Sequence, residues 1–216
     1  MRCVFYAVGS TFLYDVQESV QRLGWSVTAY INNRPDQPPP PDVSPLVDAR
    51  HIDPAWLGDP VVIPLITPGY RRQIADEVEA LGFRAFATVV DPTAIVSPSA
   101  SFQPGVFVNS GAIIGAHARL GRLALVNRGA SLGHQVTVDE FACIGPGAIL
   151  CGSCRIGRGA FIGAGAVIGP NVTVGANAVL AAGAVVGKDV PDQALAVGNP
   201  ARVQPNAGAG YNGVSA

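Results

Sequence analysis

Residues 144–168 read Ile144-Gly-Pro-Gly-Ala-Ile-Leu150-Cys-Gly-Ser-Cys-Arg-Ile156-Gly-Arg-Gly-Ala-Phe-Ile162-Gly-Ala-Gly-Ala-Val-Ile168. An aliphatic residue returns at every sixth place, and a small residue (Ala148, Cys154, Ala160, Ala166) stands four places after each. Followed outward, the same beat runs from Val96 to Val186 with an aliphatic or Phe at each of sixteen positions and Ala, Val or Cys four places on. A period of six matches neither a helix nor an ordinary strand. It is the hexapeptide β-helix period, in which three hexads close one triangular coil of 18 residues. The aliphatic side chain fills the prism and the small one points inward where space is tight. The third residue after the aliphatic is Gly, Asn or Asp in ten hexads, including Gly105, Gly147, Asn171, Asn177 and Asp189. Those residue types suit corners that need positive φ. Sixteen hexads make just over five coils, about 25 Å of prism at one strand spacing per coil.

Residues 1–90 follow another rhythm. Arg2–Val8 reads as a buried strand, Phe12–Leu23 as a helix closed by Gly24, and Trp25–Ile31 as a second strand ending at Asn32-Asn33. Pro35–Pro60, with Pro38–Pro41 at its centre, reads as a long loop. Val61–Ile66 reads as a third strand, Tyr70–Leu81 as a helix, and Phe83–Val89 as a fourth strand. Alternating strands and helices imply a small Rossmann-like α/β unit over 1–90. The prism then covers 91–203, and a Gly- and Ala-rich segment, 204–216, is expected to be a flexible tail. In an α/β unit ligands sit beyond the carboxyl ends of the strands, where Gly9-Ser10-Thr11 and Asn32-Asn33 fall. A full G-x-G-x-x-G is absent, so Gly9 is either a ligand cradle or a plain turn.

Composition narrows the function. The 216 residues carry a formal net charge of −1 and only 13% are charged, which argues against a nucleic-acid-binding face. No run of 18 apolar residues suggests a membrane span. Arg2–Val8 lacks the length and cleavage site of a secretory peptide, and the four cysteines then read as reduced thiols in the cytoplasm. Cys151-Gly-Ser-Cys154 has no second CxxC and no histidine pair nearby, so it reads as packing, with Cys154 on a small inward position.

Three histidines occur. His51 falls in the proline-rich loop. His134 lies two places after Leu132, on a corner, facing outward. One coil later stands Gly152, so an imidazole and a bare backbone N–H stack side by side. That pair is the minimum for acyl transfer, a general base with an oxyanion donor. His117 lies one coil before Gln135, beside His134, and two imidazoles on adjacent coils also suit zinc in a prism-type hydratase. A trimeric scaffold with a decayed site is a third reading.

Asn127-Arg-Gly-Ala-Ser-Leu-Gly-His134, Gly159-Ala-Phe-Ile-Gly-Ala-Gly-Ala166 and Val197-Gly-Asn-Pro-Ala-Arg202, on this two-part layout, resemble the bacterial nucleotide-sugar acetyltransferases. That group includes UDP-4-amino-sugar and GDP-perosamine N-acetyltransferases and sialic acid O-acetyltransferases, and the similarity runs to about residue 203. The resemblance implies a left-handed prism and a homotrimer that uses acetyl-CoA to acetylate a nucleotide-linked amino sugar for bacterial surface glycans. It implies His134 as catalytic base and Gly152 as oxyanion donor. Cys143, Ala164 and Ala182 match donor contacts, with Cys143 where the family has a second histidine. Gly9, Ser10, Asn32, Asn33, Thr67 and Asn127 match the nucleotide-sugar site, and no resident metal is implied. The chain departs from the family at Gln135, where an acid usually follows the histidine, and at Asn32-Asn33, where acids are common.

Overall fold

A computed structural model describes every residue except 35, 37–42 and 206. The prolines at the centre of the expected loop lie outside the described residues. The N-terminal unit is a four-stranded parallel sheet in the order β3-β2-β1-β4, from β1 (Arg2–Tyr6), β2 (Ser26–Asn32), β3 (Leu46–Asp48) and β4 (Val61–Val62). Helix α1 (Leu13–Arg22) buries Leu13, Val16 and Val20, and α2 (Pro68–Ala80) buries Ile74, Ala75 and Val78. These apolar residues recur at helical spacing, so each helix covers one side of the sheet.

Two sequence expectations change here. The loop expected over Pro35–Pro60 contains β3, which pairs with Tyr30–Asn32, and two short 3-10 turns, Ala49–His51 and Pro54–Trp56. Only three residues of β3 pair, too few to leave an alternating pattern. The strand expected over Phe83–Val89 makes just one bridge to β4, at Phe86. Val89–Val90 belongs instead to the prism, pairing with Phe107–Val108. Val90 and Ala94 already obey the six-residue rule, so the repeat starts one hexad before Val96.

The prism is a left-handed β-helix with three parallel faces. Face 1 carries Val89–Val90, Phe107–Val108, Leu125–Val126, Cys143–Ile144, Phe161–Ile162, Val179–Leu180 and Leu195–Val197. Face 2 runs from Ile95–Val96 to Val185–Val186 and face 3 from Ser101–Phe102 to Thr173–Val174. Pairing is in register every 18 residues, as between Cys143 and Phe161. The last coil is two residues shorter, Leu195 pairing with Val179. The predicted inward residues form one continuous buried column, Val108, Ile144, Ile162 and Leu180 among them at 0% exposure.

Every sixth residue from Gly105 to Gly183 has positive φ. The corner rule is therefore stricter than the composition suggested, because His117, Leu123, Gln135, Phe141 and Ser153 obey it without being Gly, Asn or Asp. Asp189 breaks it, and its carboxylate accepts a hydrogen bond from Thr173 N at 2.8 Å instead.

The N-terminal unit seats on face 1. Phe12 packs edge-on against Phe107 at 5.8 Å, in a cluster with Leu125 and Cys143. Arg71 of α2 is buried and meets no carboxylate; its guanidinium donates to five carbonyls, those of Leu65, Ile66, Leu123, Phe141 and Ala142. Burial lowers its pKa to about 10. Two of those carbonyls belong to the left-handed corners Leu123 and Phe141, so one side chain fixes the helix to the strained turns. Asp91 makes a second tie, accepting from Ser19 Oγ (2.7 Å) and Arg22 Nε (2.9 Å) of α1 and from Thr93.

The segment expected to be a flexible tail is docked. Arg202–Gln204 pairs antiparallel with Leu195–Val197. Beyond it, Tyr211 stacks on Phe161 with ring centroids 3.6 Å apart, and Ala216 N donates to Asn177 Oδ1. A Gly- and Ala-rich composition signals small side chains; here they allow close approach to the prism.

Candidate active site

His134 and Gly152 share the corner between faces 2 and 3. His134 is exposed and lies over Gly152; a β-carbon added at 152 would stand 2.5 Å from the ring's Nε2 and Cε1. The ring's Nδ1 is 3.2 Å from Gln135 Oε1. An amide oxygen only accepts, so Nδ1 is the donor in that contact, and in the neutral ring the lone pair then sits on Nε2. Gln135 thus orients the ring but lends it no charge. The Gly152 N–H has no acceptor among the described residues.

The remaining residues lie elsewhere on the chain. Asn127, Cys143, Ala164 and Ala182 line a cavity of about 410 Å3 on face 1 and its corner with face 2. The N–H groups of Ala164 and Ala182 are likewise unpaired among the described residues. Cys143 is fully buried, and burial pushes its thiol up to about 11, so it is neutral and unreactive near neutral pH. The Asn127 carbonyl oxygen is already engaged, accepting from Asn109 Nδ2 (2.9 Å) and Arg128 N (2.8 Å).

A second cavity, about 390 Å3, is lined by Gly9, Ser10, Asn32, Asn33 and Thr67 at the carboxyl ends of β1 and β2, with Tyr70 and Gln73 of α2. Asn33 Nδ2 donates to Glu77 Oε2 at 3.1 Å, and Tyr6 donates to the other oxygen at 2.7 Å.

His117 projects from the same corner as His134, beside Arg119, Gln135 and Arg155. Among the described residues of one chain no three His, Cys, Asp or Glu side chains converge as metal ligands. No helix among them is long and apolar enough to cross a membrane.

Comparison with known proteins adds a family. The bacterial transferase hexapeptide family (six repeats) matches residues 153–188. A histidine-to-asparagine mutant of perosamine N-acetyltransferase from Caulobacter crescentus, solved with CoA and GDP-perosamine, is 30% identical. That match covers 94% of this chain and 96% of the other, with a TM-score of 0.84. The acetyltransferase domain of PglB from Neisseria gonorrhoeae FA1090, solved with acetyl coenzyme A, is 28% identical over 94% and 98% of the two chains, with a TM-score of 0.83. No curated protein sequence matches. The chain belongs to the nucleotide-sugar N-acetyltransferase family of hexapeptide-repeat acyltransferases.

In this acetyltransferase, sequence reasoning missed three parts of the site. Glu77 restores a carboxylate behind Asn32-Asn33, but from α2, 44 residues away, so no local pattern announces it. Asn109 stands one coil before Asn127, and the 18-residue period could have flagged the pair. Tyr211 and Asn212, from the segment read as a tail, line the cavity that holds Ser10 and Thr67.

Proposed function

We propose that the protein transfers the acetyl group of acetyl-CoA to the amine of a nucleotide-linked amino sugar, with His134 as general base. The observation that carries this reading is the His134–Gly152 pair, an imidazole held through Nδ1 by Gln135 with its Nε2 edge over a backbone N–H that is unpaired among the described residues. His134 Nε2 takes a proton from the amine as its nitrogen attacks the thioester carbonyl. The developing oxyanion is held by Gly152 N–H. As the intermediate collapses, the C–S bond breaks and the proton on His134 passes to the departing sulfur, giving the amide and free CoA. Such complexes in the relatives, with CoA and GDP-perosamine or with acetyl coenzyme A, support the substrate classes. A CoA thioester as donor supports a cytoplasmic location.

The acceptor cavity would take the nucleotide through Gly9, Ser10, Asn32, Asn33 and Thr67. The unpaired N–H groups of Ala164 and Ala182 would hold the donor's pantetheine arm. These groups and the His134–Gly152 pair flank face 2 from opposite edges of one chain, so a complete site calls for a second chain. Face 2 also exposes Ile95, Ile113 and Ile149, in one 18-residue register with Ser131 between the last two, and 66%, 44% and 47% accessible. Covering that stripe around a threefold axis sets one protomer's His134 corner against the next one's Ala164 corner. We therefore propose a homotrimer with sites between protomers.

A thiol-release assay with acetyl-CoA against UDP-, GDP- and dTDP-linked amino sugars tests the reaction. Free CoA with one of them is the expected result. None with any, from folded protein, would overturn it.

A further inference from the structure

Among the described residues the two cavities share two lining residues, Ile66 and Tyr211. Ile66 belongs to the N-terminal unit. Tyr211 arrives from the far end of the chain, on a segment that ties that unit to the prism. Ala207 N donates to Gln193 O, Asn212 Nδ2 donates to Thr67 Oγ1 at 3.1 Å, and Ala216 N donates to Asn177 Oδ1 at 2.8 Å.

The docking is written into the surface that receives it. Gly69 lies in the first turn of α2 with an ordinary helical φ, where glycine costs up to about 1 kcal/mol against alanine. A β-carbon there would come within 2.5 Å of Val214 Cγ1 and of its carbonyl oxygen. At Gly159 a β-carbon would stand 2.6 Å from the Ala216 methyl. Both glycines leave room for the strap.

The strap does not fill the acceptor cavity; about 390 Å3 stays open with Tyr211 and Asn212 in its wall. It also occupies the hydroxyl of Thr67, one of the residues matched to the sugar nucleotide. We infer that Tyr211 and Asn212 are further acceptor-positioning residues, forming the wall past which the sugar of the bound nucleotide must reach toward the prism. This rests on the reaction proposed above.

The test compares Tyr211→Ala, Tyr211→Phe and Gly69→Leu with the wild type, using whichever nucleotide sugar the wild type turns over. Tyr211→Ala and Gly69→Leu are expected to raise KM for the nucleotide sugar about ten-fold, with KM for acetyl-CoA within about two-fold of wild type. Tyr211→Phe keeps the stacked ring and loses only the hydroxyl, so its nucleotide-sugar KM is expected to rise less than that of Tyr211→Ala. An unchanged nucleotide-sugar KM in Tyr211→Ala would reduce the strap to a tie between the two units. A lowered KM would make it a plug, and a parallel rise in the acetyl-CoA KM would place it on the donor side; each overturns the inference. A wild type inactive on every nucleotide sugar sinks the reaction itself, whereas an active wild type with indifferent variants sinks only the wall.

Discussion

Gln135 is the side chain that holds the His134 ring, and its position sets a distinct expectation for catalysis. The amide orients the ring through Nδ1 and offers no charge to imidazolium. In Gln135→Glu a carboxylate at the same place favours the protonated ring. The acid limb of the kcat/KM profile should then move to higher pH, because the base is titrated away sooner as pH falls. His134→Ala should cost about 10²–10⁴-fold in kcat with no loss of folding, as the side chain is exposed. Gly152→Ala tests the neighbour. Its backbone accepts a methyl, which must push the imidazole aside, so thiol release should fall about 10²-fold while the melting temperature holds. At this scale the sequence was partly readable. The 18-residue offset pairs His134 with Gly152 and Asn109 with Asn127, but nothing in it reveals that Glu77 of α2 stands behind Asn33.

Among elements, two buried side chains, Arg71 and Asp91, help hold α2 and α1 on the prism beside the apolar packing of Phe12 on Phe107. Arg71→Met would leave four carbonyls without a donor, two of them at the strained corners Leu123 and Phe141, while that of Ala142 keeps Leu125 N. We expect a loss of about 3–5 kcal/mol in denaturant unfolding. Asp91 ties α1 to the first coil and gives that junction a pH dependence. Burial alone would raise its pKa, but hydrogen bonds from Thr93, Ser19 and Arg22 override this and bring it from the ordinary 3.8 to about 2. A carboxylate held lower in the folded state stabilises the fold fully above about pH 4, and that stability fades as pH falls toward 2. Asp91→Asn should flatten acid unfolding in that window, measured by circular dichroism against pH. The prism was legible from its period because each hexad solves its own packing problem. The N-terminal strands were less so: β3 and β4 are two or three residues long, and their places are set by β1 and β2 rather than by their own patterns.

For the whole molecule, the division of the site between two corners has a simple test. His134→Ala and Ala182→Trp chains, each inactive alone, should regain activity when co-refolded in equal amounts, since some interfaces then join an intact histidine to an intact donor groove. Random threefold assembly restores about one quarter of the sites. Continued inactivity, with mixed trimers confirmed by mass, would place both halves in one chain. The exposed isoleucines of face 2 carried no distinct mark in the sequence, where an outward position and an inward one both tolerate Ile; only the fold separates Ile113 from Ile114.

The unbroken 18-residue coil also makes the prism a ruler. His134 and Ala164 are fixed at different heights along one axis, and the reactants they serve must meet at a set level. One extra coil spliced between them would shift base and donor apart by about one strand spacing, 4.8 Å, in every protomer at once. The same coil added after both would lengthen the molecule and leave their offset unchanged. Growth of this protein is therefore quantised, and the catalytic level divides the permitted insertions from the fatal ones.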